Sequence, residues 1–256
     1  GSYVFGFAAY HYGSGYTHGP SGSFFLPDAR LLTVGSTLSG FLEESSQNCL
    51  LLVDLFNPAQ SVILTPDTLI SGFSWHDPLA VFLEADSGRL GIVLLTQDEP
   101  TPERILSDAA VTRYRVNEGK LLYLTGDNAL YALDFLNENE SICLISAGAY
   151  SDAGIDDFLY WMGNVYFTLS NGELWAVKLD DANNLPHLVA GEVQSMTVGN
   201  DGVYFLRGGL NPGLSRVANG VVEELYTGLT QALGNNNLGE VVFLPARSDG
   251  SFMIFR

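Results

Sequence analysis

Positive charge is scarce in this chain: 11 Lys and Arg stand against 29 Asp and Glu, for a formal net charge of −18. A surface of negative average potential repels phosphate backbones and anionic headgroups, so nucleic acid is excluded as an expected partner. The same acidity serves solubility or attracts cations and basic proteins. Long hydrophobic runs are also missing. None approaches the roughly 20 uninterrupted residues of a membrane helix, so no membrane insertion is expected. Charged residues of both signs make up only 16% of the chain against 46% hydrophobic, which excludes a disordered polymer and provides ample core material. Several motifs are missing as well: a G-x-S-x-G elbow, a phosphate-binding Gly-Lys-Ser/Thr loop and H-E-x-x-H.

What is present is a repeat. Leu121 to Leu124, the turn Gly126-Asp127-Asn128 and Leu130 to Leu133 read as a β-hairpin: short apolar segments rich in aromatic and β-branched residues around a polar turn. Val165 to Phe167, Ser170-Asn171-Gly172 and Leu174 to Val177 repeat it, and Asn171-Gly172 matches the positive φ angles of a tight type I′ turn. The first apolar residues after successive turns are Leu50, Leu90, Leu130, Leu174, Leu214 and Phe252, spaced by 40, 40, 44, 40 and 38 residues. A further short apolar segment follows each of the first five hairpins: Val62 to Leu64, Arg104 to Leu106, Ile142 to Leu144, His187 to Val189 and Val222 to Leu225. With another segment ahead of each hairpin, every unit holds four strands.

Four antiparallel strands in about 40 residues match a propeller blade, whose stacking buries both sheet faces. Helical solenoids of similar period need apolar residues at helical spacing, which these runs lack. The expected fold is therefore all-β, one six-bladed β-propeller domain over 1–256, with blades at about 28–66, 67–107, 108–146, 147–190, 191–226 and 227–256 plus 3–12. The last blade lacks a fourth strand, and the apolar stretch Tyr3 to Tyr10 is expected to supply it, with Ser23 to Leu26 as the weaker candidate. Cys49 and Cys143 fall in units separated by a third, beyond the roughly 7 Å that a disulfide spans, and are expected as two free thiols buried on strands. Gly1-Ser2 reads as an expression scar ahead of a processed N-terminus, from which a signal or lipoprotein leader is expected to have been removed.

Gly163-Asn164-Val165-Tyr166-Phe167 through Leu174-Trp175-Ala176-Val177, and Asp201-Gly202-Val203-Tyr204-Phe205 through Leu214-Ser215-Arg216-Val217, carry a family resemblance. A Gly precedes an aromatic second strand, and a third strand opening on Leu follows about eight residues later. The pattern resembles the bacterial YWTD-like propellers related to the low-density lipoprotein receptor, although the tetrapeptide itself is absent and Tyr166-Phe167-Thr168 is its nearest approach. The resemblance implies a secreted or cell-envelope protein that binds proteins or glycans without performing chemistry.

Candidate chemistry is sparse. Glu43, Glu44, Asp86, Asp127 and Asp249 fall on loops expected at one end of the channel, joined by Asp67, Asp108, Asp152, Asp156 and Asp157 from the connections. Such a mouth offers oxygen ligands to calcium or an acid and base pair to a glycosidase. Asp77, Glu118, Glu138, Asp180, Asp181 and Asp201 lie at the opposite end, so acidity alone singles out neither face. Asp152, Asp156 and Asp157 are the densest group and the candidate metal ligands, with calcium the candidate cofactor, although the alternating acids of a helix-loop-helix calcium site are missing. His11 and His18 flank a loop without completing a zinc spacing, and His76 and His187 are isolated. Trp75, Tyr114, Tyr160 and Trp161 fall on the first strands of their units, where they serve as ligand platforms or as packing between blades.

The expected function is a non-enzymatic extracellular or cell-envelope module that presents a propeller face to a protein or glycan. The competing expectation is a hydrolase, lactonase or glycan-processing enzyme using a metal or paired carboxylates. A rigid spacer in an envelope assembly is the third.

Overall fold

A computed structural model describes residues 23–26, 30–36, 48–54, 56, 62–95, 100–136, 140–150, 153–179, 185–235, 239–245 and 253–255. Every regular element among them is a β-strand, and no helix is long and apolar enough to cross a membrane. The first sheet holds β1 (Ser23–Leu26), β2 (Arg30–Ser36), β3 (Asn48–Asp54) and β4 (Val62–Ile63). The second holds β5 (Ile70–His76), β6 (Leu79–Glu84), β7 (Leu90–Leu94) and β8 (Arg104–Ile105). The third comprises β9 (Val111–Asn117), β10 (Lys120–Thr125), β11 (Leu130–Asp134) and β12 (Ile142–Ile145). The fourth comprises β13 (Ile155–Trp161), β14 (Asn164–Leu169), β15 (Leu174–Lys178) and β16 (His187–Ala190). The fifth is built from β17 (Val193–Gly199), β18 (Gly202–Arg207), β19 (Gly213–Ala218) and β20 (Val221–Thr227). The last has β21 (Thr230–Asn235), β22 (Val241–Pro245) and β23 (Met253–Phe255). Strands within each sheet follow chain order.

The anchors of the repeat occupy equivalent places. Leu90, Leu130 and Leu174 open β7, β11 and β15, while Leu50 and Leu214 lie within β3 and β19, and all five are 0% exposed. Backbone bonds repeat with them: the Leu64 and Leu106 N–H groups donate to the Leu50 and Leu90 carbonyls at 2.8 Å. The anchor N–H groups in turn donate to the Thr65 and Ser107 hydroxyls at 2.9 Å. A buried donor without a partner costs about 1–3 kcal/mol, which explains a hydroxyl residue after the short fourth strand in both sheets.

The turns correct one expectation. Asn171-Gly172 does not make a two-residue type I′ turn: only Gly172 has positive φ, at 83°. The Gly172 N–H donates to the Leu169 carbonyl and the Leu169 N–H to the Glu173 carbonyl, each at 2.9 Å, so residues 170–172 form a three-residue loop ending on a left-handed glycine. Asn128, at φ 67°, closes the 126–128 loop the same way. The type I′ pairs are instead Glu118-Gly119, Met162-Gly163 and Asn219-Gly220, all with positive φ at both positions. Their first residues include a Glu and a Met, side chains that carry no type I′ signature.

The chain divides into two units, 1–114 and 115–256, with the boundary inside β9. In the first unit, Leu32, Leu50 and Leu52 of the first sheet share a buried cluster with Ile70, Phe73, Phe82 and Val93 of the second. In the second unit, alternation along the fourth sheet divides its side chains between two cores. Phe158, Tyr160, Val165, Phe167 and Val177 face Leu122, Leu124 and Leu130 of the third sheet. Their neighbours Leu159, Trp161, Tyr166, Leu174 and Ala176 face Met196, Val203 and Phe205 of the fifth. The fifth repeats the scheme with Tyr204, Leu206 and Leu214 against Val241 and Phe243. Sheets with two dry faces read as near-continuous apolar runs, and each buried Phe or Leu contributes about 1.5–3 kcal/mol.

Two further outcomes bear on the sequence expectations. Cys49 is buried, but Cys143 is exposed, contrary to the expectation of two buried thiols. Cys143 sits on β12, the outermost described strand of its sheet, with no further described strand beyond it. Ser23–Leu26 is the edge strand of the first sheet, paired with Arg30 to Thr33. The expected closing strand at 3–12, together with His11, His18, Glu43, Glu44, Glu138, Asp152, Asp180, Asp181 and Asp249, lies outside the described residues.

Candidate functional site

Of the aromatic candidates on the first strands, Tyr160 and Trp161 are buried and Trp75 and Tyr114 are half-buried. Trp161 and Tyr160 are 5% and 9% exposed and lie in opposite cores of the fourth sheet. The Tyr160 hydroxyl accepts the Gly163 N–H at 3.0 Å, closing its own hairpin, and its carbonyl accepts the Asn117 amide at 3.3 Å. Trp75 is half-buried against the core between the first two sheets. Tyr114 meets Ser74: the two hydroxyl oxygens are 3.0 Å apart, and Ser74 Oγ is also 3.0 Å from Nε2 of His76. Two positions apart on one strand, Ser74 and His76 share a face. Burial lowers the His76 pKa, holding the ring neutral, as suits a hydrogen-bonded link in an interior.

Among the described residues the acidic candidates do not gather. Asp156 is exposed beside a bulge in β13, whereas Asp157 accepts from the Arg115 guanidinium at 2.8 Å. Among the described residues no three His, Cys, Asp or Glu side chains are grouped to hold a metal. Asp127 accepts the Thr125 hydroxyl at 2.5 Å and Asp201 the Tyr204 hydroxyl at 2.7 Å, so both serve their own hairpins. Sequence reasoning passed over Glu103. Its Oε1 accepts the Thr68 hydroxyl at 3.0 Å, its Oε2 is buried without a hydrogen bond, and burial raises its pKa. The same carboxylate, after burial, contributes to raising the Cys49 thiol.

The outer strands carry the feature that sequence reasoning treated only as a strand marker. Val62 and Ile63 on β4, Ile142 on β12, Leu188 on β16, and Val221 and Val222 on β20 are all exposed. Within the second unit, Leu188 and Val189 of β16, Tyr166 of β14, Val217 of β19 and Val222 of β20 line one groove, with Asn164 and His187 at its polar margin. Leu188 is 52% and Val222 44% exposed at its mouth. Tyr166 lies deeper, and burial raises its phenol pKa. Walls of mixed apolar and polar character suit a side chain of a binding partner.

No protein-family model matches the chain, and no curated protein matches it. Solved structures do. The N-terminal domain of Nup159 is 16% identical with a TM-score of 0.44, over 70% of this chain and 54% of that one, so the chain spans about half of that domain's length. The Myceliophteria thermophila Cps50 (Swd1) beta-propeller domain is 9% identical with a TM-score of 0.49, over 93% and 84% of the two chains. The WD40 beta propeller domain of Doa1 is 14% identical with a TM-score of 0.42, over 91% and 77%.

Proposed function

We propose that the chain is a propeller-type scaffold that binds a protein partner along its outer strands, at the groove between β16 and β20. The observation that carries this is the exposure of Leu188 and Val222 at the mouth of that groove. Apolar side chains left in water on neighbouring strands gain about 25 cal/mol for each Å² a partner covers. The finer parts of the proposal are a YWTD-like six-bladed ring closed by a strand from 3–12 and an extracellular or cell-envelope location. Both rest on the repeat and its resemblance.

The test is site-specific photocrosslinking. A benzophenone side chain at position 188 is expected to capture a discrete protein, and the same probe at Leu210, which is 93% exposed on a loop, is not. The captured protein, once purified, is expected to bind the wild-type chain and to lose at least tenfold affinity for Leu188→Asp. Equal capture from both positions, or unchanged affinity, rejects the groove as the binding site.

A further inference from the structure

An outermost strand leaves a row of backbone N–H and C=O groups unpaired, and proteins blunt such edges with short strands, Lys or Pro. Most outer strands here follow that rule: β4 and β8 have two residues, and β12 and β16 have four. β20 departs from it, with seven residues, Val221–Thr227, and neither Lys nor Pro among them. In its sheet it pairs with β19 on one side and with no described strand on the other.

The β19–β20 turn defines which groups face outward. Asn219 and Gly220 have φ of 51° and 75°, and Ala218 opposes Val221 across them. In a two-residue hairpin the flanking pair exchanges both hydrogen bonds, and such pairs alternate with open ones. Ala218 with Val221 and Arg216 with Glu223 are therefore bonded pairs, and Val222, opposite Val217, turns its N–H and C=O away from β19. The side chain of this same residue lines the groove beside Leu188. Backbone pairing and a groove thus meet at one position.

We propose that the open edge of β20 takes an extended, basic peptide segment of another protein, which adds as a further strand at Val222 and places an apolar side chain in the groove. This rests on the protein-binding proposal for the groove and names the partner's chemistry. Strand addition supplies main-chain hydrogen bonds for affinity and pockets for alternate side chains for specificity. The basic character follows from the net charge of −18; on the strand itself Glu223 and Glu224 are ion-paired with Arg216 and Arg207 and remain 55% and 46% exposed. The same net charge disfavours a second copy as the occupant, because it would bring two chains of −18 together.

The experiment uses the whole ¹⁵N-labelled chain and two capped eight-residue peptides, one alternating Lys with Val and one alternating Glu with Val. The Lys peptide is expected to bind saturably and to slow exchange of the Val222 amide at least tenfold, whereas the Glu peptide does neither. Val222→Pro removes the outward N–H, a change an edge strand tolerates, and also replaces the side chain that lines the groove, so Val222→Ala, which keeps the N–H, is run beside it. The Pro variant is expected to weaken binding at least tenfold more than the Ala variant, with the melting transition retained. Unfolding of the Pro variant would leave the Val222 amide exchange of the wild-type chain to decide.

Lys-peptide binding abolished by Leu188→Asp but indifferent to Val222→Pro, with no protection at Val222, overturns strand addition and leaves the groove as a binding site. Equal binding of both peptides overturns the basic preference. Protection of Val222 without peptide, rising with protein concentration alongside dimer formation, makes a second copy the occupant. Absence of Lys-peptide binding at millimolar concentration overturns the proposal.

Discussion

The Ser74 hydroxyl lies 3.0 Å from the Tyr114 hydroxyl, joining the first strand of the second sheet to the first strand of the third. Both residues reach this contact from the first strands of successive repeats, 40 positions apart. Tyr114, one of the aromatic candidates, is thereby part of a link that includes Ser74 and His76.

Tyr114→Phe removes one member of that link and leaves Ser74 with His76. A net loss of about 1 kcal/mol is expected in urea unfolding, with an unchanged denaturant slope.

Burial lowers the pKa of His76 in the folded chain, so the unfolded chain takes up its proton first. The stability this neutral ring supports is full above the ordinary histidine pKa of about 6.5 and falls as pH drops through it toward the lower folded value. Melting temperature is expected to decline between pH 7.5 and 5.5, and His76→Gln is expected to flatten that decline.

Glu103 acts with the opposite sign. Its pKa is raised by burial, so the unfolded chain ionises first and stability falls as pH rises through the ordinary carboxylate range toward the raised folded value. Glu103→Gln keeps an acceptor for Thr68 and abolishes the charge. At pH 7 its melting temperature is expected to equal or exceed that of the wild type.

Gly91 opposes Phe82 across the second sheet, and a Cβ at Gly91 would stand 2.2 Å from the ring. Phe82 is fully buried, so the ring has no free space to move into. Gly91→Ala is expected to cost about 1–3 kcal/mol by overpacking, and Gly91→Ala combined with Phe82→Leu is expected to regain part of it, as read from unfolding midpoints.

Trp161 tests the same principle from the other side. Its ring fills the core between the fourth and fifth sheets, and Trp161→Ala is expected to cost about 3–5 kcal/mol. A glycan platform would instead show intact stability with lost sugar affinity, a distinction made by paired unfolding and glycan-array measurements.

Local pattern determined much of this protein. Leu50, Leu90, Leu130, Leu174 and Leu214 are fully buried strand residues at the spacing of the repeat, and the five following apolar segments are the fourth strands of their sheets. Hairpins were legible because strand alternation and turn residues act over fewer than a dozen positions. Turn geometry was less so, since Met162 and Glu118 adopt positive φ at the first turn position, where neither side chain favours it and only the following Gly163 or Gly119 marks the turn. Tertiary structure alone decided the rest. Cys143 and Val222 are as apolar in sequence as the residues of the core, yet they lie on strands with no further described strand beyond them. Leu188 and Val222 belong to different sheets, and their shared groove exists because the fourth and fifth sheets stack through Trp161, Tyr166 and Phe205. A repeat specifies what each sheet contains, but the surface between two sheets depends on how they pack, which no single period records.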